Sequence, residues 1–118
     1  MSDVAERPVD LIHLARYTGG ERATNAEILE LFVCQSAELM QQLKAVVEAR
    51  DGESWRHIMH SLKGAARGVG AFSLAQVAAE AEPLDPAIQH AQTMAALQSL
   101  RTRTEAVHQF VNSYLAAA

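Results

Sequence analysis

Residues 53–70 read ESWRHIMHSLKGAARGVG, and the spacing of their apolar side chains decides the fold. Each residue of an α-helix advances by about 100°. With His60 set at zero, Trp55, Ile58, Leu62, Ala65, Ala66 and Val69 fall within about 60° of the opposite direction, with Met59 at the margin of that stripe. The segment is therefore one amphipathic helix, starting around Glu53 or Ser54 and running to Gly68-Val69-Gly70, where glycines supply the usual C-terminal stop. His60 faces solvent, and Arg56, Lys63, Gly64 and Arg67 lie on its side, one turn before and one or two turns after.

Helical patterns flank this segment in both directions. Residues 8–17 read as a short opening helix, with Pro8 at a tolerated first-turn position and Gly19-Gly20 as the break after it. Ile28, Phe32, Leu39, Leu43 and Val46 or Val47 then recur at three- and four-residue intervals, a second amphipathic helix that ends near Asp51-Gly52. Beyond the quoted stretch, a helix over 73–82 buries Leu74, Val77, Ala78 and Ala81. Pro83 and Pro86 interrupt it, and a last helix over 86–115 carries Leu97, Leu100, Val107, Val111 and Tyr114. No strand pattern, internal repeat or low-complexity linker competes. The expected fold is all-α: an antiparallel up-down four-helix bundle with a short N-terminal capping helix, forming a single domain over 1–118.

Length and charge narrow the function classes. At 118 residues with 49% hydrophobic side chains, the chain suits one packed domain and not a multidomain enzyme. Its net charge of -4 argues against nucleic-acid binding, which draws on a basic surface to displace counterions. Cys34 is the lone cysteine, so neither an intrachain disulfide nor a thiolate metal cluster can form, as expected for a cytoplasmic protein. No secretory leader and no apolar run long enough to span a membrane is present. Met1 and the Ala116–Ala118 end fit a stand-alone chain more readily than a module of a larger kinase.

The outward face of the 53–70 helix is where chemistry is expected. A solvent-facing imidazole has a reference pKa of about 6.5, so near neutral pH one ring nitrogen is free to attack an electrophile. A glycine inside a helix costs about 1 kcal/mol relative to alanine. Helical side chains lean toward the N-terminus, so any side chain at Gly64 would lie over the turn that holds His60. Its absence leaves the ring open to another protein's surface. Lys63 is placed to offset the charge of a phosphoryl group on His60, and Arg56 and Arg67 to assist it or to attract an acidic partner.

His60-Ser61-Leu62-Lys63-Gly64, followed by Gly70-Ala71, resembles the signature of histidine-containing phosphotransfer (HPt) domains. Leu14, Gly19-Gly20 with Glu21, Phe32, Leu43 and Asp51 resemble further landmarks of that family, covering about residues 10–82, while the last helix matches only in character. The resemblance implies a monomer that accepts a phosphoryl group on His60 from a receiver-domain aspartyl phosphate and passes it to another receiver. The catalytic residues would be His60, Lys63 and Gly64, with Arg56, His57, Arg67 and Gly68 contacting the partner. Such a shuttle is not an enzyme with a nucleotide site, and no Walker-type loop or kinase motif is present. No cofactor or metal of its own is implied; Mg2+ belongs to the receiver. The partners would be receiver domains of a hybrid histidine kinase or response regulators, with neither nucleic acid nor membrane among them.

Blander readings stand beside these. Taken alone, His60 is a solvated surface histidine; Lys63, Gly64 and the apolar opposite face reverse that. His57 lies one turn from His60, yet two histidines are too few for a metal shell. Glu105 and His108 form a Glu-x-x-His pair, but the second pair that a di-metal bundle requires is missing. His13, His90 and His108 read as ordinary surface residues, Trp55 as core, and the stripe of the last helix as core in preference to a dimer seam. Ser61 has no positional argument as a rival phosphosite. The alternative function is a non-phosphorylated helical adaptor that binds receivers through the same face.

Overall fold

A computed structural model describes residues 7–117; Met1 and Ala118, on which the stand-alone expectation rests, lie outside the described residues. Five helices span the described residues: α1 (Leu11–Thr18), α2 (Arg22–Glu48), α3 (Gly52–Val69), α4 (Phe72–Ala81) and α5 (His90–Ala116). No strand occurs among the described residues. Helices α2, α3, α4 and α5 pack as a cycle, each against the next and α5 back against α2, while α1 lies on α2 and α3. The two 27-residue helices, about 40 Å each at 1.5 Å per residue, set the 46 Å long axis.

Helix ends follow local hydrogen-bonding chemistry, which corrects two expected boundaries. α1 starts at Leu11, not Pro8, because the Asp10 carboxylate accepts from the backbone N–H groups of Ile12 and His13. α5 starts at His90, not Pro86: the Asp85 carboxylate accepts from Ala87 N, and its carbonyl accepts from Ile88 N and Gln89 N. Those bonds fold residues 85–89 into a turn that holds Pro86 outside the helix. α3 begins at Gly52, with Asp51 accepting from Ser54 N at 3.1 Å. Gly70 ends it at φ +85°, where a Cβ would also come within 2.7 Å of the Asp10 carbonyl oxygen. That close approach seats α1 on α3, and Asp10 N donates to Gly70 O at 2.9 Å.

Arg50 occupies the corresponding left-handed position after α2 with φ +56°, and it is not glycine. Left-handed backbone costs an L-residue about 1–2 kcal/mol. Arg50→Gly is expected to stabilise the fold by about 0.5–1 kcal/mol after the added entropy of unfolded glycine is counted. Denaturant melts would show it; an unchanged or lowered midpoint would mean that the turn carries no such strain.

The core gathers Trp55, Leu29, Leu43, Leu62, Leu74, Leu97 and Leu100, all buried. α3 buries the expected stripe, with two differences: Met59, placed at its margin, is fully buried, and Ala65 is only partly so. In α4, Ala75 takes the place expected for Val77, which packs at the edge. On α2 the buried line includes Asn25, Leu29 and Ser36, leaving Ile28 and Leu39 partly covered. Asn25 is acceptable inside because it accepts from the Thr18 hydroxyl at 2.5 Å and its amide donates to the Tyr114 hydroxyl at 3.2 Å, joining α1, α2 and α5. Arg22 stacks 4.4 Å over the Tyr114 ring and donates to the Tyr114 and Ala117 carbonyls at the end of α5.

His108 is not the ordinary surface residue expected. It is half-buried between α5 and α2, with Nε2 2.9 Å from the Ser36 hydroxyl, which itself donates to Phe32 O at 2.7 Å. Burial pushes the His108 pKa below its ordinary value, and the nearby Glu105 carboxylate opposes this only in part. A histidine whose folded pKa is depressed leaves the unfolded chain binding more protons, so its contribution is complete above the unfolded value of 6.5 and lost as pH falls through the folded one. Acidification below that value is thus expected to lower the melting temperature of the wild type more steeply than that of His108→Gln. Parallel curves would contradict the assignment.

Candidate functional site

α3 is held by its apolar face, which leaves the opposite face free. Trp55, Met59 and Leu62 are buried, while the His60 side chain is 71% exposed midway along the helix. The Trp55 indole N–H donates to Ala81 O at 2.8 Å, fastening the start of α3 to the end of α4. The next residue, Glu82, keeps helical dihedrals of φ −55° and ψ −43° even though it precedes Pro83, an exception to the usual preference. Its side chain consequently continues the line of α4 and arrives beside His60.

Glu82 is the residue that the sequence did not reveal. Its Oε2 lies 3.6 Å from His60 Nδ1, and its Oε1 accepts from Lys63 Nζ at 2.5 Å. Lys63, expected as a free cation, is thus paired and only 19% exposed. The hydrogen bond from Lys63 holds the Glu82 carboxyl below its ordinary pKa, helped by the charge of Lys63 and by His60 and opposed by desolvation. Glu82 is therefore ionised at neutral pH. Nδ1 faces this carboxylate, and Nε2 is the ring nitrogen turned away from it.

A groove of about 560 Å3 opens beside the imidazole, lined by Gln42 of α2, by Glu53, Ser54, Arg56, His57, Ile58 and His60 of α3, and by Glu82. Arg56 and His57 thus share a surface with His60. Arg67 and Gly68 are exposed but lie outside the groove, about 10–12 Å along α3 at the helical rise. Gly64 is exposed, and a Cβ placed there would meet nothing within 4 Å. Packing therefore does not account for glycine at that position, and the same holds for Gly68. Gln42, like Glu82, lacked any signal in the sequence, since no periodicity links it to a histidine on another helix. Among the described residues no group of three or more His, Cys, Asp or Glu side chains is placed to hold a metal ion, and no helix is long and apolar enough to cross a membrane.

Residues 27–111 match the family model described as the Hpt domain. The chain belongs to the Hpt domain family. Hpt domains serve histidine phosphotransfer in two-component phosphorelays and interact with receiver domains. The Hpt match begins later than the landmarks quoted above and runs on through most of α5, the helix that resembled the family only in character. The fold is similar to that of histidine-containing phosphotransfer protein B (HptB) from Pseudomonas aeruginosa PAO1, with a TM-score of 0.79 and 24% sequence identity over 94% of this chain and 97% of that one. None of the curated proteins compared with this Hpt domain matches it.

Proposed function

We propose that this Hpt domain is a phosphorelay intermediate: His60 takes a phosphoryl group from the aspartyl phosphate of one receiver domain and passes it to another. The observation that carries the reading is the exposed imidazole of His60, centred on a helix whose other face is locked into the core. The imidazole offers a ring-nitrogen lone pair, and the receiver supplies Mg2+ and the in-line geometry. Lys63 is the cation nearest in sequence to the arriving charge, and Arg56 and His57 contact the partner from the groove, with Arg67 and Gly68 extending that contact along α3. The protein acts as a monomer in the cytoplasm, without a cofactor or nucleotide site of its own. Its cycle of four helices is read as an antiparallel up-down bundle capped by α1, a reading supported by the pairings of Arg22 with Tyr114 and Ser36 with His108, whose numbers run in opposite directions.

Incubation with a phosphorylated receiver is expected to move acid-labile, base-stable phosphate onto the protein. Retained binding without label from any receiver tried would favour the adaptor instead. Gly64 gives a second test. Because the space above it is open, Gly64→Gln is expected to stabilise the helix by up to about 1 kcal/mol while slowing transfer by covering the approach to His60. Transfer at the wild-type rate in a stabilised variant would remove the access argument.

A further inference from the structure

One carboxylate faces two partners at this site. Glu82 Oε1 accepts from Lys63 at 2.5 Å, while Oε2 lies 3.6 Å from His60 Nδ1. Lys63 and Glu82 are 19% and 24% exposed beneath an imidazole that is 71% exposed. The resting site therefore pairs the acid with the lysine and leaves the ring as the looser neighbour. Phosphorylation changes both demands. As the Nε2 lone pair forms the N–P bond, the O–P bond of the acyl phosphate breaks and its electron pair returns to the receiver's carboxylate. The ring keeps its Nδ1 proton and becomes cationic, and the phosphoryl group brings negative charge to a position one helical turn from Lys63.

Each new charge then has an opposite charge already beside it. We propose that phosphorylation of His60 exchanges the partners of this ion pair: Glu82 passes from Lys63 to the Nδ1–H of the phosphorylated ring, and Lys63 passes from Glu82 to the phosphoryl oxygens. The inference rests on His60 as the phosphoacceptor. Glu82 is in this account a positioning residue, acting through the imidazole and the lysine without touching the phosphoryl group. Charges stay paired in both states, so neither state is a trap and the phosphoryl group can leave as readily as it arrives. The exchange also explains why a lysine needed for the phosphorylated state is occupied in the resting one.

Phosphoramidate, a small phosphoryl donor that needs no receiver, provides the test on the full chain, with the label mapped to its histidine. Glu82→Gln is expected to slow labelling of His60 about two- to fivefold, the upper part of the range for exposed charge pairs. Lys63→Met is expected to shorten the lifetime of the phosphohistidine by a similar factor, and Lys63→Arg to restore it. Singles and the double variant should be non-additive, since each half of the exchange needs the other. The NMR signal of the Lys63 ammonium should shift on phosphorylation in the wild type and shift less in Glu82→Gln, where the lysine is already free. Wild-type rates in Glu82→Gln, additive singles, or a lysine signal unmoved by phosphorylation would each overturn the exchange while leaving His60 as acceptor. Absence of label on His60 in the wild type would overturn both.

Discussion

His60→Gln is expected to reduce phosphotransfer to background while leaving the fold as stable as the wild type. Glutamine has no nucleophilic ring nitrogen, and His57, which shares the groove, has no carboxylate within ion-pair distance of its ring among the described residues. Stability should change by no more than about 0.5 kcal/mol, the usual range for an exposed site, because the His60 side chain is 71% exposed. Labelling with phosphorylated receiver and a denaturant melt on the same preparation check the two halves together. Residual label on the variant would mean a second acceptor. A strongly lowered midpoint would mean that His60 is structural.

Trp55→Ala is expected to have the largest effect on stability, a loss of about 3–5 kcal/mol. The indole is fully buried, and its N–H satisfies the Ala81 carbonyl across the α3–α4 contact. Truncation removes the apolar volume and one of the two hydrogen bonds that the Ala81 carbonyl accepts, the other coming from Leu84 N. For a marginally stable domain this approaches the whole free energy of folding, so Trp55→Phe makes the subtler variant. Phenylalanine keeps most of the volume, loses the hydrogen bond, and releases the end of α4 that carries Glu82 to His60. Transfer should then fall more than the loss of stability alone predicts. A Trp55→Ala protein that melts within about 1 kcal/mol of wild type would contradict the anchoring role.

Much of this was legible in the sequence, and the parts that were not share a cause. The stripe from Trp55 to Val69 fixed α3 and the outward direction of His60 because helical periodicity is a local property. The same arithmetic could not find Glu82, which reaches His60 only through the packing of α4 on α3 and the Trp55–Ala81 bond. The same arithmetic places Lys63 as a site cation but cannot show that it is paired, for the same reason. Asn25 and Ser36 give no local sign of a core position, because the partners that make them acceptable inside, Tyr114 and His108, stand on another helix. α1 and α5 start later than Pro8 and Pro86 suggest, because a proline marks a break without saying which side of it the helix takes; the carboxylates of Asp10 and Asp85 decide that.

The central claim is that phosphate passes through His60, and a pulse–chase with two receiver domains tests it most directly. Phosphorylated receiver is mixed with the protein, excess unphosphorylated second receiver is added, and label on each component is followed over time with its position mapped. The expected result is transient acid-labile label on His60 that rises as the first receiver loses phosphate and falls as the second gains it. Stable complexes with both receivers and no label on His60 at any time would contradict the shuttle and leave a binding protein in its place.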